Sequence, residues 1–202
     1  MHGWLVREFG DIDVLRWSDL PDPVPAPGQV LFDAPHLLPM PENLDFVQAA
    51  AIPVGWLTAW HALHTVAGAD TGPGKRVLIE AVGSSVGSAA LQIARWRGCW
   101  VAGTASRDTK CRQALAAGAD AAYNYTREDI AAAVRRDTGG HGADVGLMTI
   151  GEQTAAALFE AMAPEGHIVM YGSTGGRRIG FDLGIGVRNL RLSSMSISTS
   201  AR

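Results

Sequence analysis

The 202 residues carry 17 Lys and Arg against 20 Asp and Glu, a net charge of −3. That balance offers no basic field to nucleic acid or to an anionic membrane surface. Two cysteines, Cys99 and Cys111, exclude a disulfide framework or a multi-cysteine zinc site, and read as small buried residues in a reducing compartment.

With 47% hydrophobic and 18% charged residues, the composition is that of a folded protein: one good-sized domain, or one domain plus an appendage. The N-terminus lacks the basic start and long apolar run of a signal peptide. The longest apolar stretch, residues 46–67, contains Pro53, His61 and His64. It therefore reads as a buried helix rather than a membrane span, and a cytoplasmic location is expected.

In chain order, Trp4-Leu5-Val6 and Val14-Leu15-Arg16-Trp17 flank the turn residues Phe9-Gly10-Asp11 and predict a β-hairpin. Pro21, Pro23, Pro25 and Pro27 alternate with other residues, which favours an extended connector. Gln29-Val30-Leu31-Phe32 suits one more short strand, and Pro35, Pro39 and Pro41 mark a second connector. From Phe46 a helical pattern begins. Pro53 breaks it or opens a new first turn. The following Val54 to Leu63 is apolar all round, as in a helix packed between layers.

Thr71-Gly72-Pro73-Gly74 then turns into a regular alternation. Strands are predicted over 77–80, 100–104, 121–124, 144–149, 167–171 and 189–197, with helices over 86–97, 107–117, 127–137 and 153–163. Strands separated by helices predict a parallel sheet covered on both faces. The expectation is a β-rich appendage at 1–45 and a doubly wound α/β domain at 46–202.

The chain is organised around residues 76–94. An apolar strand, Val77-Leu78-Ile79, runs into a small-residue turn, Gly83-Ser84-Ser85, and then into a helix beginning near Val86 and Gly87. A strand feeding a tight turn at a helix N-terminus presents free N–H groups and partial positive charge, which suits a phosphate. About 20 residues further on, an NAD-preferring site would place an acid at the tip of the second strand. Here the tip reads Gly103-Thr104-Ala105-Ser106-Arg107, with Lys110 one turn on. Ser106, Arg107 and Lys110 suit a 2′-phosphate instead. The alternative is a solvated helix start with Asp108 as its capping-region acid.

Leu37-Leu38-Pro39-Met40-Pro41, Ala49-Ala50-Ala51-Ile52-Pro53, Leu57-Thr58-Ala59-Trp60-His61-Ala62-Leu63, Val86-Gly87-Ser88-Ala89-Ala90-Leu91-Gln92-Ile93-Ala94, Gly103-Thr104-Ala105-Ser106, Gly118-Ala119-Asp120 and Asn124-Tyr125 together resemble the medium-chain dehydrogenase/reductase superfamily. The resemblance is to its zinc-free quinone oxidoreductase (zeta-crystallin-like) branch. It implies a six-stranded Rossmann sheet, NADPH as cofactor, and hydride transfer to a quinone or conjugated enone without a metal. It implies Tyr125 beside the 2′-phosphate, Thr58 near the nicotinamide, and Gly172-Ser173 alongside.

The family fingerprint places glycines where this chain has Val82, Ser84 and Gly87. Met148 stands where many relatives carry Asp. The GroES-like substrate domain looks reduced to a remnant hairpin, and the C-terminal return segment looks absent. Strand 189–197 is where relatives pair sheets, so a homodimer is expected. Two alternatives remain open: a non-redox cyclase or isomerase on the same scaffold, and a catalytically silent dimerising module.

Among other residues, His61 and His64 share a helical spacing but lack further ligands for a metal, so structural use is expected. His141 in its Gly-rich turn reads as solvated, and His36 lies in a connector. Trp56, Trp60, Trp96 and Trp100 read as core, with Trp56 and Trp60 available to line an opened pocket.

Overall fold

The computed structural model describes residues 2–5, 16–19, 40–180 and 187–196. The chain divides into two compact units, Met1–Leu44 and Asp45–Arg202. In the first, β1 (His2–Leu5) pairs antiparallel with β2 (Arg16–Asp19), as the apolar segments about Phe9-Gly10-Asp11 predict. The hairpin turn, the alternating prolines, Gln29-Val30-Leu31-Phe32 and His36 lie outside the described residues.

The second unit is built on six parallel strands. These are β3 (Arg76–Ile79), β4 (Trp100–Ala105), β5 (Ala121–Asn124), β6 (Ala143–Met148), β7 (Met162–Met170) and β8 (Arg191–Ser194), in the spatial order β5-β4-β3-β6-β7-β8. That is the doubly wound Rossmann order. Its helices are α3 (Ser85–Trp96), α4 (Asp108–Ala116), α5 (Ile130–Asp137) and α6 (Ala155–Ala161).

Alternation along the strands separates two cores. Val77 and Ile79 join Leu63, Leu91, Val145 and Leu147 on one face. Leu78 joins Tyr123, Val134, Met148, Phe159 and Ile168 on the other. Both faces are covered, which is why these strands read as nearly continuous apolar runs.

Two helix ends differ from the sequence expectation. Asp129 accepts from the Ala132 amide and so caps α5, leaving Arg127 and Glu128 in the preceding turn. Helix α6 stops at Ala161. Met162 then pairs with Ala143 of β6 before a register shift carries β7 on to Met170.

Helices α1 (Phe46–Ala50) and α2 (Pro53–Trp60) correct a larger expectation. Asp45 and Gln48 form a reciprocal capping box at the start of α1. Pro53 opens α2 at a position where no N–H is needed, and the helix runs on as a π-helical segment, His61–Val66. The helix is not packed between layers. A stripe of small residues, Gly55, Thr58, Ala59 and Ala62, is buried with Leu63, and a Cβ at Gly55 would collide with the Ser85 hydroxyl of α3. Val54 and Leu57 of α2 are 67% and 50% exposed, and Phe46 and Val47 of α1 are 82% and 81% exposed.

Trp56, Trp60 and Trp96 are likewise exposed, whereas the half-buried Trp100 packs against the core that holds Leu78 and Tyr123. Trp96 follows the buried Ala94 by two positions, off the stripe that α3 turns inward, and is 73% exposed. Trp60 stacks on His64 with ring centroids 4.5 Å apart and lies 6.1 Å from Trp96. Cys99 and Cys111 are free and buried, and burial pushes both thiols up. Among the described residues no helix is long and apolar enough to cross a membrane.

Candidate functional site

Strand β3 lies between β4 and β6, so the chain winds away from it in both directions. The tips of β3 and β6 therefore diverge at a topological switch point, where doubly wound sheets hold their ligands. The turn between β3 and α3 sits at this point. Ala81 takes the left-handed conformation, φ 48°, which is unusual for a residue with a Cβ. Val82 is buried and packs on Gly103, where a Cβ would stand 2.5 Å from that of Val82. The Val82 amide donates to Thr104 O at 3.0 Å, tying the turn to the tip of β4.

Ser84 caps α3, its hydroxyl accepting from the Gly87 amide at 3.0 Å. A serine at this position thus consumes one of the amides the helix end would otherwise offer. Gly87 is where α3 crosses the turn most closely. A Cβ there would collide with the Ala81 carbonyl oxygen and lie 2.8 Å from Val82 Cα. Lys110 reaches across from α4, packs its stem on Gly83 and donates from Nζ to Gly83 O at 3.2 Å. Gly83, Ser84, Ser85, Val86, Gly87 and Lys110 are therefore gathered in one place.

At the tip of β4, Ser106 and Arg107 are exposed. Asp108 does not cap α4. Its carboxylate accepts from Asn124 Nδ2 and pairs with Arg127 at 2.6 Å, which leaves Arg107 without a compensating acid among the described residues. Tyr125 is half-buried nearby and lines a cavity of 280 Å³ with Glu80, Thr104, Glu128, Asp129 and Gln153. Among the described residues the Thr104 hydroxyl faces no hydrogen-bond partner although the residue is only 4% exposed. Water or a ligand in the cavity can satisfy such a group.

Glu80 holds a place at this crevice that the motifs did not mark. Glu80 is 1% exposed. Its Oε2 accepts from the Thr149 and Ile150 amides, each at 2.8 Å, and its Oε1 accepts from the Thr154 hydroxyl. Burial pushes its carboxyl up, and the Thr154 hydroxyl with the amides of Ile150, Thr149 and Gly151 recovers part of that shift. The available signal was an ionisable residue ending an otherwise apolar strand.

In the other half of the crevice, the loop after β7 is knit to the loop after β6. Thr174 and Gly175 donate from their amides to Thr149 O at 2.9 Å and Ile150 O at 2.6 Å. Gly172 is required here, because a Cβ would come within 2.5 Å of the Thr149 hydroxyl. Ser173 is exposed. The Tyr171 hydroxyl is buried without a hydrogen-bond partner, and burial, with the Glu80 charge second, pushes the phenol up.

Thr58 is buried on the α2 face that meets α3, and its hydroxyl donates to its own helix at Val54 O, 2.6 Å. Met148 is fully buried in the core. His64 bonds Arg97 at 2.9 Å. His141, exposed but not merely solvated, bonds Asp144 at 3.0 Å. Among the described residues no three His, Cys, Asp or Glu stand together as a metal would require.

Comparisons with known proteins agree with this geometry. Residues 85–202 match the family model described as zinc-binding dehydrogenase. The chain is 33% identical over 161 residues to 2-haloacrylate reductase from a Burkholderia species, covering 77% of this chain and 48% of that protein. It is 32% identical over 149 residues to quinone oxidoreductase from Pseudomonas aeruginosa, covering 74% and 45%. The chain thus spans about half the length of these relatives. Among solved structures, Escherichia coli quinone oxidoreductase complexed with NADPH superposes with a TM-score of 0.70 at 29% identity, over 78% of this chain and 48% of that one. The sheet order, the Gly87 crossing and these matches have one explanation: the chain belongs to the zinc-binding dehydrogenase family, in the quinone oxidoreductase-like branch of the medium-chain dehydrogenase/reductases.

Proposed function

We propose that this chain is the cofactor-binding part of an NADPH-dependent oxidoreductase that delivers hydride to a quinone or conjugated carbonyl without zinc. The observation that carries the reading is Arg107, which has no acid partner among the described residues, beside Lys110 and Ser106 at the strand tip where an NAD-preferring site would hold an acid. The residues fit the cofactor. The close crossing at Gly87 brings the N-terminus of α3 against the turn, and Thr104 lines the neighbouring cavity with Tyr125.

In this reading the amides of Ser85 and Val86 bind the pyrophosphate, since Ser84 already occupies that of Gly87. Arg107, Ser106 and Lys110 bind the 2′-phosphate with Tyr125 beside it. Thr104 and Tyr125 border the adenosine end. Gly172, Ser173 and Thr58 position the nicotinamide, which when bound supplies the hydride. The chain contributes orientation and a dry floor, with Glu80, Thr58 and Tyr171 largely withdrawn from water. Zinc independence is carried over from the family resemblance. A second copy pairing along the exposed edge of β8 would complete the assembly as a homodimer.

The test is titration of the pure protein with NADPH and NADH, read by tryptophan fluorescence and melting temperature. Quenching and stabilisation are expected with NADPH at lower concentration than with NADH. No binding of either at millimolar concentration sinks the reading. Sedimentation as a stable monomer contradicts the dimer.

A further inference from the structure

One carboxylate spans the switch-point crevice. Glu80, at the tip of β3, accepts from the amides of Thr149 and Ile150 and from the Thr154 hydroxyl, with the Gly151 amide adding to the same cradle. Successive backbone amides turned toward one point form a nest for an anion, and here the occupant is supplied by the chain itself. The loop so held is the anchor of the next one. Thr149 O and Ile150 O accept from Thr174 and Gly175, and the Thr149 hydroxyl fills the space a Cβ at Gly172 would need.

We propose that Glu80 is the positioning residue of the crevice: its carboxylate fills an anion nest in the loop after β6, and so fixes where that loop and the Gly172–Ser173 loop stand for the nicotinamide end of the cofactor. The proposal rests on the NADPH reading above. Removing the carboxylate leaves the amides of Thr149 and Ile150 and the Thr154 hydroxyl buried and unpaired. The loop then has reason to relax toward water, and it takes the β7 loop with it through two backbone hydrogen bonds.

The experiment is chemical rescue. Glu80→Ala vacates the nest, and formate is a carboxylate small enough to enter it. Melting temperature and NADPH affinity, the latter from tryptophan quenching, are measured with sodium formate and with sodium chloride at equal ionic strength. Glu80→Ala is expected to melt lower and to bind NADPH at least about tenfold more weakly, with formate but not chloride restoring both. Glu80→Gln, which keeps one carbonyl acceptor, is expected to fall between and to ignore formate.

The proposal is overturned if Glu80→Ala matches wild type in both measurements. It is also overturned if formate restores the melting temperature but not the affinity, since Glu80 is then only structural. Should Glu80→Ala not fold, Glu80→Gln decides: wild-type NADPH affinity overturns the proposal, and a loss at near-normal melting temperature supports it. If wild type binds no NADPH, the functional reading fails, while formate rescue of the melting temperature still supports the nest.

Discussion

Replacing Gly87 by alanine tests the crossing on which the site depends. The new Cβ would collide with the Ala81 carbonyl oxygen and stand 2.8 Å from Val82 Cα, where carbon atoms prefer about 3.5–4.0 Å. Both obstacles are backbone, so neither can swing aside, and α3 must retreat by about 1 Å. Overpacking of this kind costs about 1–3 kcal/mol. Alanine recovers about 1 kcal/mol of helix propensity, for a net loss of up to about 2 kcal/mol. At about 2–4 °C per kcal/mol for a chain of this size, the melting temperature should fall by up to about 8 °C.

Binding should suffer more than stability. The same retreat carries the Ser85 and Val86 amides away from the phosphate, and charge-assisted hydrogen bonds contribute about 1.5–3 kcal/mol each. NADPH affinity should therefore drop at least about tenfold. Scanning calorimetry and fluorescence titration of the same preparation measure the two effects. An alanine variant that melts at or above wild type and binds NADPH equally well refutes the reasoning, because the crossing would then not be tight.

Ser84→Ala removes the α3 cap at a cost of about 1 kcal/mol but frees the Gly87 amide, so thermal stability should fall while NADPH binds as tightly as before or up to about tenfold tighter. A loss of affinity parallel to the loss of stability would contradict that separation. Arg107→Ala and Lys110→Ala should each weaken NADPH about tenfold and leave NADH nearly unchanged; equal losses for both cofactors in parallel titrations would dismiss the 2′-phosphate role.

Two carboxylates should shape the pH profile with opposite signs. Burial pushes Asp70 up, but hydrogen bonds from Arg191 and His167 outweigh it and hold the group below its ordinary 3.8. Its contribution is therefore present above that value and lost as the pH falls through its folded pKa. Glu80 is held above its ordinary 4.5, so its contribution declines as the pH rises past that value. Denaturant melts across the acid range should show Asp70→Asn losing the first slope and Glu80→Gln the second, and unchanged slopes would remove the assignment.

The fold was legible because its causes are local and periodic. Apolar runs such as Val77-Leu78-Ile79, alternating with helical stretches and broken by Gly118 and Gly151, can only build a two-sided parallel sheet. The strand–turn–helix unit was legible for the same reason, since Gly83-Ser84-Ser85 between a strand and a helix is a contiguous signal. Arg107 and Lys110 could be proposed as ligands from their spacing to that turn.

Contacts across the sheet were not legible. Glu80 meets Thr149 and Ile150 across 69 and 70 residues of chain, and no window on the sequence brings them together. The same holds for Lys110, whose place over Gly83 follows from the approach of α4 to the turn. The all-round apolar Val54 to Leu63 misleads because periodicity reports how many faces are apolar, not which neighbour covers each. Only the packing of α2 on α3 through Gly55 decides that Val54 faces outward. Sequence by itself determined the order of elements and the chemistry available at their tips. Tertiary structure decided which tips share a crevice, because pairing strands in the order β5-β4-β3-β6-β7-β8 is a choice made between segments distant along the chain.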